Sequence, residues 1–89
     1  MPSRDVDIIN RLGLHARAAA KFVNTAGEYA ADLEVERDGQ RVNGKSIMGV
    51  MMLAAGQGST LTLHAEGEDA DALLDGLEAL IADRFGEGE

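Results

Sequence analysis

One stretch of the chain concentrates side chains that could do chemistry: Asn10-Arg11-Leu12-Gly13-Leu14-His15-Ala16-Arg17-Ala18-Ala19-Ala20-Lys21. It carries one of only two histidines, with an arginine two positions on and a glycine two positions before. The alanine-rich run after His15 strongly favours a helix, which puts His15 at the N-cap. The backbone N–H groups of Ala16, Arg17 and Ala18 would then lack helical partners and point towards the imidazole. Such a helix mouth attracts anions. A phosphoryl group on the ring would meet those N–H groups and the Arg17 guanidinium. Phosphoryl transfer asks for positioning and charge stabilisation more than for covalent machinery. Histidine, helix mouth and arginine therefore suffice for a phosphoryl relay. The same spacing also fits a histidine that merely caps a helix, and it leaves both readings open.

The elements that must position this stretch follow from hydrophobic periodicity. Residues 4–10 read as a strand with Val6 and Ile8 inward, and 11–14 as a loop. The first helix is expected over 16–26, burying Ala19, Phe22, Val23 and Ala26, with Gly27 ending it. Residues 32–37 alternate cleanly, with Leu33 and Val35 inward. Asp38-Gly39 signals a two-residue hairpin turn into a short strand over 40–43. Ser46 is a good N-cap for a short helix over 47–55. That helix is apolar on nearly every side. Val50, Leu53 and Ala54 fit its inward side, which leaves Ile47, Met48 and Met51 as an exposed, adaptable contact surface. Residues 59–66 alternate again, with Leu61 and Leu63 inward and His64 as an ordinary histidine on the other face. In the last helix Ala70, Leu73, Leu74, Leu77, Leu80 and Ile81 make a buried stripe, and Glu68 and Asp69 complement its dipole. Gly86-Glu87-Gly88-Glu89 is expected to fray.

This order, βαββαβα, predicts an α+β open-faced β-sandwich: a four-stranded antiparallel sheet with three helices on one face. Residues 1–89 are expected to form a single domain. The net charge of −8 argues against a duplex-DNA binder, and the scarcity of aromatics, 3% of the chain, argues against single-strand stacking. No nucleic-acid partner is expected. Charge is uneven: seven of the eight basic residues lie in 1–45, so the surroundings of His15 are the least acidic and could dock an acidic partner. There is no cysteine, no apolar signal core and no run long enough to span a bilayer. The expectation is a cytoplasmic protein without membrane insertion. No metal-ligand spacing accompanies either histidine, so neither a metal nor a cofactor is expected.

The residues Gly13-Leu14-His15-Ala16-Arg17, with Ala19 after them and Gly44-Lys45-Ser46-Ile47-Met48-Gly49-Val50 downstream, closely resemble the HPr phosphocarriers of the bacterial phosphotransferase system. The resemblance covers essentially the whole chain, including the separation of the two motifs. It implies the HPr-like fold, phosphorylation of His15 on Nδ1 by enzyme I, and onward transfer to an enzyme IIA protein. It implies that Arg17 assists transfer and that Ala20, Asn24, Ile47, Met48 and Met51 form the docking surface. It implies a monomeric carrier rather than an enzyme with its own turnover. Ser46 matches the serine that HPr kinase/phosphorylase modifies in bacteria that have it, a role compatible with capping. One departure is Ala18, where many HPr proteins have proline. It leaves sugar uptake and a nitrogen-related regulatory chain both open. The alternative class is a binding module acting through Ile47–Met52 alone. A stand-alone hydrolase is weak, because no carboxylate stands near His15 in sequence.

Overall fold

The structure, a computed structural model, describes residues 2–89. The alternating segments form four strands: β1 (Ser3–Asp7), β2 (Asp32–Arg37), β3 (Gln40–Asn43) and β4 (Thr60–Glu66). Three helices, α1 (Ala16–Ala26), α2 (Ile47–Met52) and α3 (Ala70–Ala82), are followed by a 3₁₀ turn at Arg84–Gly86. The strands pair antiparallel throughout, in the order β1-β4-β2-β3. Helices lie over one face only, giving the expected open-faced sandwich.

Alternation decides which face is covered. Val6 pairs with Leu61, Val35 with Leu63 and Leu33 with Ala65, and all six are buried beneath the helices. The residues between them point to solvent and bond across strands. Thr62 Oγ1 donates to Asp5 at 2.7 Å, Thr60 Oγ1 to Asp7 at 2.8 Å, and His64 pairs with Glu36 at 2.8 Å. Asp38 and Gly39 both have positive φ, 51° and 84°, the backbone that the tight β2–β3 turn requires. From the helices, Phe22, Val50, Leu73, Leu74 and Leu77 complete the core.

Two expectations about these elements need correction. The first strand ends at Asp7, not residue 10. Ile8 still bonds in register, donating to Ser59 O at 2.8 Å and accepting from Gly58 N at 2.7 Å, but its partner there is a loop. The second helix stops at Met52, because Ala54 takes a left-handed φ of 50°. That reversal exposes Ala54 and buries Ala55 in its place. Asp69 stands at the start of α3, as expected, and has a second role. It precedes α3 but makes no side-chain capping bond there. Its carboxylate instead accepts the N–H groups of Ala30 and Ala31, each at 2.8 Å, and ties the α1–β2 loop to the start of α3. At the same junction a Cβ on Gly67, whose φ is 143°, would lie 2.8 Å from Ala31 Cα.

The N–H of Ala30, and then that of Ala31, hold the Asp69 carboxyl below the usual carboxylate range. A carboxyl whose pKa is depressed by folding stabilises the fold above its unfolded pKa and loses that contribution as pH falls through the folded value. Asp69→Ala is therefore expected to lower the melting temperature at pH 7. The gap to wild type should narrow as pH drops below the ordinary aspartate range. A gap that stays constant across that range would show that the ionised carboxylate contributes nothing.

Candidate functional site

His15 has extended backbone angles, φ −73° and ψ 177°, and caps α1 as its position before the alanine run demands. Its Nδ1 faces the helix mouth and accepts the Arg17 N–H at 3.3 Å. The approach to this cap is fixed by backbone packing. Gly13 has φ 68°, and a Cβ there would lie 2.7 Å from both Ala55 O and Gly56 Cα. Only glycine fits both the angle and the space. The next residue, Leu14, is buried and donates its N–H to Ala55 O at 2.8 Å. The loop bearing the histidine is thus stapled to the chain leaving α2.

The other edge of the imidazole is also held. His15 Nε2 bonds to the Glu87 carboxylate. The second oxygen of Glu87 accepts from Asn10 Nδ2 at 2.9 Å, and the same amide nitrogen donates to Gly13 O at 2.7 Å. Both partners of that nitrogen can only accept, which sets the orientation of the amide. Asn10 is fully buried, and its Oδ1 has no partner. The Asn10 bond, followed by the His15 bond, holds the Glu87 carboxyl below the usual glutamate range.

The expected frayed tail is therefore a docked strap. Phe85 is fully buried. Arg84, Phe85 and Gly86 take positive φ of 53°, 53° and 76°, which turns the chain back towards α1. Lys21 Nζ donates to Phe85 O at 2.7 Å, and Arg11 N donates to Glu89 O at 2.6 Å. Sequence reasoning missed Glu87 as the partner of the histidine, and Asn10 and Lys21 as the residues that hold the strap bearing it. The one available signal was Phe85, an isolated aromatic in an acidic, glycine-containing end.

The remaining site residues divide. Ala16 and Arg17 are exposed. The Arg17 guanidinium makes no hydrogen bond or ion pair among the described residues, so it is available to an incoming anion. Ala18 is buried behind them. Ser46 caps α2, its Oγ accepting the Gly49 N–H at 3.2 Å. Met48 is 75% exposed and Ile47 and Met51 about 40%; Met52 is exposed too, as is Leu12, which the sequence reading left out. Asn24 is exposed and Ala20 half-buried on α1, which packs against α2. His64 lies on the opposite, open face of the sheet. No group of three or more His, Cys, Asp or Glu among the described residues could hold a metal ion, and no helix among them is long and apolar enough to cross a membrane.

Because backbone rather than side chain crowds Gly13, Gly13→Ala cannot be absorbed by a rotamer change. It is expected to cost about 1–3 kcal/mol of stability in urea unfolding. Unchanged stability would mean that the loop carrying His15 is not pinned to Ala55.

Comparison with known proteins gives consistent results. A family model described as the PTS HPr component phosphorylation site matches residues 2–83. Phosphocarrier protein HPr of Cupriavidus necator is 57% identical over 89 residues, covering all of both chains. Phosphocarrier protein NPr of Shewanella violacea is 43% identical over 84 residues, 94% of this chain and 92% of that one. The crystal structure of HPr-C-His from Thermoanaerobacter tengcongensis superposes with a TM-score of 0.94 at 45% identity, covering 98% of each chain.

Proposed function

Because the chain belongs to the HPr phosphocarrier family of the phosphotransferase system, we propose that its own task is to carry a phosphoryl group on His15 Nδ1, received from phosphorylated enzyme I and surrendered to a histidine of an enzyme IIA protein. The observation that carries this reading is the orientation of the ring. Nδ1 faces the mouth of α1 and the Arg17 N–H, while Nε2 is engaged by Glu87. A phosphoryl group at Nδ1 would meet the N–H of Ala16 and that of Arg17, which loses its acceptor once the Nδ1 lone pair is taken up in the N–P bond, with the exposed Arg17 guanidinium beside them. These groups stabilise charge on the phosphoryl oxygens in transit, which is most of what such a transfer needs. The protein acts as a transient phosphoprotein in the cytoplasm and as a monomer. Turnover belongs to its partners.

Both partners dock on the apolar surface of Ile47, Met48 and Met51, flanked by Ala20 and Asn24 of α1. Its exposure in an otherwise charged molecule supports this use. Ser46 lies at the edge of that surface. Phosphorylation there by a kinase of the HPr kinase/phosphorylase type would add about two negative charges beside an apolar contact. It weakens docking while leaving α2 capped.

Incubation with phosphoenolpyruvate and enzyme I is expected to place one acid-labile phosphate on the wild type and none on His15→Ala. Labelling of that variant would overturn the carrier reading. Met48→Glu is expected to slow both phosphorylation and onward transfer without altering the fold. A pure binding module would instead lose partner capture with Met48→Glu and keep it with His15→Ala.

A further inference from the structure

We propose that Glu87 is a positioning residue for the phosphoryl-accepting histidine: its carboxylate selects the Nε2–H tautomer of His15, leaving Nδ1 as the nucleophilic nitrogen. The proposal rests on the reading of His15 Nδ1 as the phosphoryl acceptor.

Hydrogen-bond inventory carries the argument. A neutral imidazole has one N–H and one lone pair, and its surroundings decide which nitrogen has which. At Nδ1 the neighbour is a donor, the backbone N–H of Arg17 at 3.3 Å. At Nε2 the neighbour is a carboxylate, which when ionised can only accept. Both edges therefore demand the same tautomer: lone pair on Nδ1, proton on Nε2. The helix mouth alone would leave the proton's position to a single long hydrogen bond.

The carboxylate is itself held in place. Its other oxygen accepts from Asn10 Nδ2 at 2.9 Å, and Asn10 is fixed by burial and by its bond to Gly13 O. Phe85 in the core and Lys21 on its carbonyl anchor the strap that delivers Glu87. Glu87 thus meets two donors, Asn10 Nδ2–H and His15 Nε2–H, one at each oxygen. No neutral side chain of the same size can accept on both sides.

The consequence for transfer is direct. The Nδ1 lone pair forms the N–P bond as the bond from phosphorus to the donor atom breaks, its electron pair leaving with the donor. The proton stays on Nε2, and the ring acquires positive charge. A carboxylate already bonded to that N–H stabilises the charge as it develops. It sits at the ring edge away from the phosphoryl group, so repulsion between the two anions is smaller than it would be at Nδ1.

Glu87→Gln is the informative variant. If the glutamine oxygen serves Asn10, its NH₂ faces His15 and donates to Nε2, which forces the proton to Nδ1. If it turns over, two donors confront each other at Asn10. Nitrogen-15 imidazole spectra at about pH 8.5, above the usual histidine range, are expected to show the Nε2–H form of His15 in the wild type. In Glu87→Gln a substantial share should move to the Nδ1–H form, with His64 unchanged as internal control. The rate of phosphorylation by phosphorylated enzyme I should fall about tenfold, the size of one lost charge-assisted hydrogen bond. Equal tautomer populations alone would only halve the rate, so a larger loss measures the missing charge. Glu87→Asp, which keeps the charge, should recover part of both. The Nδ1–H form in the wild type would overturn the proposal. So would an unchanged spectrum in Glu87→Gln, or a shifted tautomer with an unchanged rate. The spectra need no phosphorylation, so a failure of His15 to label at all would refute the carrier reading separately.

Discussion

The molecule depends on one constraint: its sheet is apolar on a single face. Three helices must share that face, and α1 packs against both α2 and α3. Its first turn therefore lies near the chain leaving α2 on one side, and its Lys21 near the turn after α3 on the other. Without this crowding His15 would cap a helix in open solvent. With it, the histidine is approached by Gly13 packed on Ala55 and by Glu87 on the strap. The site is assembled where separate parts of the chain are forced together by a common need to cover the same apolar surface.

What the sequence disclosed and what it withheld separate along a physical line. Three elements were legible to the residue. The start of α1 follows from a capping histidine, and the bounds of β2 and β3 from alternation around Asp38-Gly39. Ser46 was legible as a cap, and the exposed methionines followed from an over-apolar helix. What the sequence withheld at the site and the α3 junction are long-range links from a polar side chain to a distant part of the chain. Asp69 looks like a helix-start acid but bonds the Ala30–Ala31 backbone. Glu87, flanked by glycines, looks like solvent-exposed tail, yet it is the carboxylate beside His15. Such links have no period, so no pattern within a window reveals them. Ala54 and Ala55 exchanged roles for a related reason: one left-handed residue inverts which neighbour faces the core.

Polar burial marks the site more sharply than apolar burial does. Asn10 is the single polar residue in the fully buried set among the described residues, and its amide nitrogen bridges the histidine loop and the strap. Its Oδ1 has no partner among the described residues. Elsewhere polar groups occupy the open sheet face and satisfy one another across strands. This buried amide holds Glu87 and Gly13 in register.

The six-residue helix with its bare methionines has a kinetic meaning for a shuttle. A face so narrow belongs to the low end of interface sizes, where complexes separate readily. Methionine, unbranched and polarisable, fits differently shaped partners without committing to one. A shuttle must let go of its source before it can reach its destination, so a long residence on either would throttle the flow. Differences in residence arise chiefly in the dissociation rate. On the proposed docking, the narrowness of this patch would set how many hand-overs each molecule completes per unit time, and enlarging it to strengthen the grip would slow them.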